Sequence, residues 1–293
     1  MLKGIFPPIP TPFLNDEIAF DKLKFNIEKW NTTKLSGYVV MGSNGESAYL
    51  TMEEKIELIA KAKEYAAVDK LIIAGTGLES IKDTIKLTNA AAEVGANYSL
   101  ILTPSFYKGK MNHTAFIEYF YKVADEVKIP VLIYNVPKFT GVDIETKTVA
   151  KLAEHKNIIG IKNSAENIAQ LAEMVYETPS DFVTLVGTAS IIYSGLSVGA
   201  VGGIVALANI APNECIEIYN LFNEGKIKES LHLQYKMLQP NKAVTAKYGV
   251  GGLKKAMDLL GYFGGSPRKP LSDISESETE DLKSILKKAE ILK

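Results

Sequence analysis

Cysteine, histidine, tryptophan and surplus charge are all scarce in this chain. Among 293 residues there are one cysteine, three histidines and one tryptophan, and 33 basic residues face 34 acidic ones. A lone Cys215 excludes an internal disulfide and, beside Glu214 on an expected helix, reads as a packing residue. His113, His155 and His232 stand far apart, with no His-x-x-x-His or Cys-x-x-Cys pair, so no metal site is expected. Near-neutral charge offers no basic surface to nucleic acid or to an anionic membrane. No uninterrupted apolar stretch approaches the roughly 18 residues of a membrane span. The opening Met1-Leu-Lys-Gly-Ile-Phe-Pro-Pro lacks the cationic and apolar regions of a secretion signal, so a cytoplasmic setting is expected.

What the chain does have is alternation. Short β-rich runs recur at Ile5-Phe6, Gly37 to Met41, Leu71 to Ala74, Tyr98 to Leu102, Val131 to Tyr134, Ile158 to Ile161, Phe182 to Val186 and Gly203 to Ala206. Helical patterns separate them. One begins at Thr51, where Thr51 and Glu54 form a capping box ahead of an apolar stripe of Ile56, Ile59 and Ala60. Strands alternating with helices imply parallel strands joined by crossovers, and eight such units close an α/β fold of the (β/α)8 TIM-barrel type. The competing open, doubly wound sheet calls for a Gly-x-Gly-x-x-Gly turn after its first strand. Here that strand runs into Pro7-Pro-Ile-Pro-Thr-Pro12. Helical patterns alone fill the remainder, at 213–222, 226–238, 247–260 and 276–292. We therefore expect a barrel over residues 1–223 and a C-terminal helical extension over 224–293 packed on it.

The chemistry of such a barrel gathers at the C-terminal ends of its strands. Lys162 closes the apolar run Asn157-Ile-Ile-Gly-Ile-Lys162 with no acidic residue inside the run. Most lysines at strand ends snorkel to water. One kept among aliphatic side chains favours its neutral amine, the form that attacks a carbonyl and makes a Schiff base. Period-two alternation would put Ile158, Gly160 and Lys162 on one face, with Gly160 leaving room for the lysine stem. Tyr134, on the neighbouring strand, is placed to shuttle protons beside that amine; packing is its other reading. After the second strand comes Gly42-Ser43-Asn44-Gly45-Glu46-Ser47, a glycine turn whose N–H groups and side chains suit a carboxylate, or else an ordinary turn.

Together these pieces resemble the dihydrodipicolinate synthase / N-acetylneuraminate lyase family of class I aldolases. The likeness rests on Gly42-Ser-Asn-Gly-Glu46, Tyr134-Asn-Val-Pro137 with Thr140-Gly141, and Gly160-Ile-Lys162, and it spans nearly the whole chain. Within the family the sequence is most similar to 4-hydroxy-2-oxoglutarate aldolase. That nearer likeness rests on Tyr107-Lys-Gly-Lys-Met111, Gly202-Gly-Ile-Val-Ala-Leu-Ala-Asn209, Pro240-Asn-Lys-Ala-Val-Thr245, Gly252 to Asp258 and Gly261-Tyr-Phe-Gly-Gly265.

The resemblance implies a homotetramer, a dimer of dimers, acting on a 2-oxo acid and an aldehyde. It makes Lys162 the imine-forming residue and Tyr134 the proton relay, with Ser43, Asn44, Ser164, Gly187 and Tyr107 around the substrate. No cofactor or metal is implied, because a protonated imine is itself the electron sink. Two positions depart from the family pattern. Dihydrodipicolinate synthases carry an arginine where this chain reads Lys138-Phe139-Thr140, and the family usually has a tyrosine where this chain has Phe106, so the usual proton relay lacks a hydroxyl there. The expected reaction is cleavage of a 4-hydroxy-2-oxo acid to pyruvate and an aldehyde such as glyoxylate. A 2-keto-3-deoxy sugar acid aldolase, a sialic acid lyase, a dehydratase and dihydrodipicolinate synthase itself are the alternatives within this chemistry. A keto-acid-binding sensor barrel is the alternative outside it.

Overall fold

A computed structural model describes residues 2–293. The eight apolar runs form eight parallel strands: β1 (Gly4–Phe6), β2 (Gly37–Val40), β3 (Leu71–Gly75), β4 (Tyr98–Leu102), β5 (Val131–Asn135), β6 (Ile158–Asn163), β7 (Val183–Val186) and β8 (Gly202–Ile204). Each pairs with its neighbour in chain order from β2 round to β8, and β8 pairs with β1. The ring closes through the segment just past β1. Val39 N–H donates to the Pro7 carbonyl and Ile9 N–H to the Val39 carbonyl, both at 2.9 Å. Pro7 and Pro8 have no N–H to give, so β1 stops at Phe6 as a regular strand while the chain beyond it still accepts from β2.

Each strand is followed by a helix: α1 (Phe20–Asn31), α2 (Met52–Tyr65), α3 (Ile81–Glu93), α4 (His113–Glu126), α5 (Thr146–Leu152), α6 (Ile168–Glu177), α7 (Ile192–Ser197) and α8 (Pro212–Asn223). This is the expected (β/α)8 barrel, with α9 (Ile227–Lys242), α10 (Gly249–Leu259) and α11 (Glu276–Lys288) after it. Phe6, Val39, Ile73, Leu100, Leu132, Leu185 and Ile204, one from each of seven strands, fill the barrel interior. A second layer, including Ile101, Ile133 and Ile161, faces Phe116, Phe120 and Met174 on the helices. Burying each such side chain stabilises the fold by about 1.5–3 kcal/mol.

Two local expectations shift. The capping box forms as read, with Thr51 Oγ1 accepting from Glu54 N–H and Glu54 Oε2 from Thr51 N–H. The buried stripe of α2, however, is Lys55, Leu58, Ile59 and Ala62, and Ile56 and Ala60 are only half-buried. The helix turns by a residue because Lys55 buries its stem while its Nζ donates to the Leu50 carbonyl at 2.7 Å.

On β6 the period-two reading holds at Gly160 and Lys162 but fails at Ile158. Val131 lies opposite Ile158 while the next residue, Leu132, lies opposite Gly160. The extra residue in β6 turns Ile158 out towards the helices and Ile159 in towards the barrel interior. Nor does Gly160 make room for the lysine stem. A Cβ there would sit 2.3 Å from the Val183 carbonyl oxygen, so the glycine permits close approach of β7.

Candidate active site

Tyr134 and Lys162 are partners in register on β5 and β6, and both point into the barrel mouth. Lys162 is 3% exposed, and among the described residues its Nζ has no hydrogen-bond or ion-pair partner. It lies 4.0 Å from the centroid of the Tyr134 ring, a cation–π distance. The Tyr134 hydroxyl shares a 3.1 Å hydrogen bond with Ser43 Oγ, which arrives from the glycine turn after β2. Burial of an amine with nothing to pair it is costly, and the strand's own geometry aims it at a cavity.

That cavity, of about 120 Å³, is lined by Ser43, Asn44, Tyr134, Lys162, Ser164 and Gly187, all expected from sequence. Asn44 Nδ2 and Ser164 Oγ are buried with no hydrogen-bond partner among the described residues. Native interiors seldom tolerate such orphans, so both are poised for a polar ligand. Gly187 is required where it stands: a Cβ would fall 1.8 Å from Ser164 Oγ and 2.9 Å from Ser164 Cα. At the rim Lys138 and Glu166 bring opposite charges, with Phe139 beside them, 63% exposed.

Tyr107 does not join this set. Its loop is held outward by Glu79, which accepts from the N–H groups of Ser105 and Phe106 at 2.9–3.1 Å. Tyr107 packs edge-on against Phe106 at 5.1 Å, and both rings are largely exposed.

The structure adds a wall that the sequence reading left out. Val244, Thr245, Ala246, Gly249 and Val250, all from the C-terminal extension, line the same cavity. Pro240 lies inside α9, and Ala243–Lys247 then winds as a π-helix leading into α10. Such a wide turn is a common feature of functional sites, and a proline in a helical pattern next to Asn241 was the signal available for it. Asn241 Nδ2 donates to Thr188 Oγ1 at 2.9 Å and Ser190 Oγ at 2.8 Å, tying this wall to the loop after β7.

Glu46, the last residue of the glycine-turn motif, faces away from substrate space. Its carboxylate meets Lys254 Nζ at 2.5 Å, both side chains 0% exposed, and accepts from the Arg268 N–H at 2.7 Å. Burial holds the Lys254 amine below the ordinary lysine range, against the pull of Glu46. Glu46 adopts a left-handed backbone (φ 57°), a conformation uncommon in residues other than glycine. The turn bearing Ser43 and Asn44 is thereby clamped by the C-terminal extension, through Lys254 on α10 and Arg268 in the segment after it.

Residues 1–289 match the family model described as the dihydrodipicolinate synthetase family. The chain belongs to that family. Curated relatives include the 4-hydroxy-tetrahydrodipicolinate synthase of Methanoculleus marisnigri, 36% identical over 98% of this chain and 99% of the relative. That of Archaeoglobus fulgidus is 32% identical over 100% of both chains. Among solved structures, dihydrodipicolinate synthase from Aquifex aeolicus superposes with a TM-score of 0.94 at 31% identity, covering 99% of each chain. YagE, a prophage protein of the same family from E. coli K12 solved in complex with pyruvate, gives 0.94 at 26% identity, again over 99% of each. As a member of the dihydrodipicolinate synthetase family the chain is an enzyme of the class I aldolase type, handling small molecules. Among the described residues no helix is long and apolar enough to cross a membrane.

Proposed function

We propose that Lys162 forms an imine with the C2 carbonyl of a 4-hydroxy-2-oxo acid and that the enzyme cleaves this substrate reversibly to pyruvate and an aldehyde. The observation that carries the reading is the unpaired, 3%-exposed Lys162 amine lying against the ring of Tyr134. The amine adds to the carbonyl, water leaves, and the protonated imine draws electrons from the C3–C4 bond. Tyr134 takes the proton of the C4 hydroxyl, with Ser43 as its 3.1 Å relay. An enamine of pyruvate remains on Lys162, and protonation and hydrolysis release pyruvate and the free lysine. Asn44, Ser164 and the backbone at Gly187 would hold the 2-oxo carboxylate.

A second reading, 4-hydroxy-tetrahydrodipicolinate synthase, is favoured by the names of the curated relatives. Against it stands Phe139 at the position where the synthases hold a carboxylate with arginine. A phenyl ring makes no bidentate carboxylate contact. The aldehyde half would instead meet Lys138, Glu166 and the π-helix wall. Homotetrameric assembly, carried over from the family resemblance, belongs to the same proposal and is read by analytical ultracentrifugation.

The test is borohydride trapping with pyruvate followed by peptide mass spectrometry. A pyruvyl adduct confined to the Lys162 peptide, and absent in Lys162→Ala, is expected; no adduct at any pyruvate concentration sinks the imine mechanism. Release of pyruvate from 4-hydroxy-2-oxoglutarate then separates the aldolase from a synthase, which would instead condense pyruvate with a carboxylate-bearing semialdehyde.

A further inference from the structure

Behind the two strand ends that carry Tyr134 and Lys162 lies a closed ring of four polar side chains. Asn135, next after Tyr134, and Asn163, next after Lys162, are partners in register and are 0% and 2% exposed. Asn135 Nδ2 donates to Asn163 Oδ1 at 3.0 Å and to Asp143 Oδ1 at 2.7 Å. Gln170 Nε2 donates to Asp143 Oδ2 at 3.1 Å, and Gln170 Oε1 accepts from Asn163 Nδ2 at 3.2 Å, which completes the circuit. The remaining capacity is also used. Asn135 Oδ1 accepts from Ile144 N–H at 3.3 Å, and Asn163 Oδ1 accepts from Ala165 N–H at 3.0 Å.

The contrast across the strands is what points to a role. On the pocket side, Asn44 Nδ2 and Ser164 Oγ have no partner among the described residues; on the ring side every side-chain nitrogen and oxygen of these four residues is paired. Buried amides that satisfy every donor and acceptor hold one arrangement, because any shift breaks several bonds at once. Since alternate residues of a strand point to opposite faces, fixing Asn135 and Asn163 on one side fixes Tyr134 and Lys162 on the other. The Asn163–Ala165 bond also pins the turn that presents Ser164. Asp143, at the exposed rim, is the only charged member.

We infer that the Asn135–Asp143–Gln170–Asn163 ring is a positioning device that sets the Lys162 amine against the Tyr134 phenol and Ser164. None of the four touches substrate, and the inference rests on Lys162 being the reactive amine proposed above. Asn135→Asp puts a carboxylate where Asp143 now receives its shortest bond. In the exchange variant Asn135→Asp/Asp143→Asn the new amide at 143 donates to the new carboxylate and still accepts from Gln170 Nε2, so of the four ring contacts only the one between positions 135 and 163 remains acceptor against acceptor.

The experiment follows two reactions at the Lys162 peptide in the full chain: borohydride trapping of pyruvate, and reductive methylation by formaldehyde with cyanoborohydride, which reads the amine whatever the natural substrate. In Asn135→Asp the trapping rate is expected to fall at least tenfold and the Lys162 methylation rate to differ at least threefold from wild type, relative to surface lysines. The exchange variant is expected to return both at least halfway on a logarithmic scale. If Asn135→Asp does not fold, Gln170→Met, at the half-buried edge, is expected to move both rates in the same sense. Wild-type rates in these single variants, or an exchange variant no better than Asn135→Asp, would overturn the inference. A wild-type enzyme that methylates at Lys162 but traps no pyruvate sinks the aldolase reading alone, because the methylation ratios still decide whether the ring positions the amine.

Discussion

At the scale of single residues, the site is defined as much by what is missing as by what is present. Gly187 has no side chain because Ser164 Oγ occupies the space a Cβ would need. Gly187→Ala must push the Ser164 turn or its own strand end away, an overpacking cost of about 1–3 kcal/mol. Urea unfolding is expected to show a loss of that size, together with weakened pyruvate trapping. Lys254 is a sharper case. Lys254→Met leaves the Glu46 carboxylate buried and without its cation, which typically costs about 3–5 kcal/mol. Glu46→Gln/Lys254→Met removes both charges and is expected to recover much of that loss. A double variant no more stable than Lys254→Met would mean that the pair's value lies elsewhere than in mutual neutralisation.

At the scale of elements, the regular parts were legible because burial on both faces writes a continuous apolar run for each strand. The eight runs matched eight strands, and four of the five positions expected around the substrate, Ser43, Asn44, Ser164 and Gly187, line one cavity with Tyr134 and Lys162; Tyr107 is the fifth, and its loop faces outward instead. What sequence patterning could not carry were pairings between remote segments. The bulge that turns Ile159 inward arises from the register of β5 against β6, and no local rule encodes it. Likewise, Glu46 read as part of a ligand turn because its partner, Lys254, lies more than two hundred residues later. The π-helix is a milder omission, since Pro240 announces an irregularity but not its form. Asn241 is the test at this scale. Asn241→Leu strips Thr188 and Ser190 of a donor, and a loss of about 1–3 kcal/mol is expected, with faster limited proteolysis after residue 240.

For the whole molecule, Arg268 gathers distant parts. Its guanidinium forks onto both oxygens of Glu54 at 2.6 and 2.8 Å, reaches Asp16 Oδ1 at 3.0 Å and the Tyr49 carbonyl at 2.9 Å, and its N–H meets Glu46. These bonds hold the Glu54 carboxyl below its ordinary value of 4.5. The folded protein therefore takes up that proton less readily than the unfolded chain does. The stability this contact adds is complete above pH 4.5 and is lost as pH falls through the lowered folded value. Chemical denaturation across that range is expected to show a shallower acid decline in Arg268→Met than in wild type.

The clamp on Glu46 also has a meaning in time. Synthesis runs from the N-terminus, and the eight strands are all made by residue 204, yet the cavity wall at Val244–Val250 and the cation at Lys254 are still to come. A ribosome carrying the eight strands holds a chain whose Lys162 faces an unwalled mouth and whose Glu46 waits for its counter-charge. Competence therefore arrives late and all together, so that a prematurely terminated chain lacks both a wall of its pocket and the lock on its substrate turn.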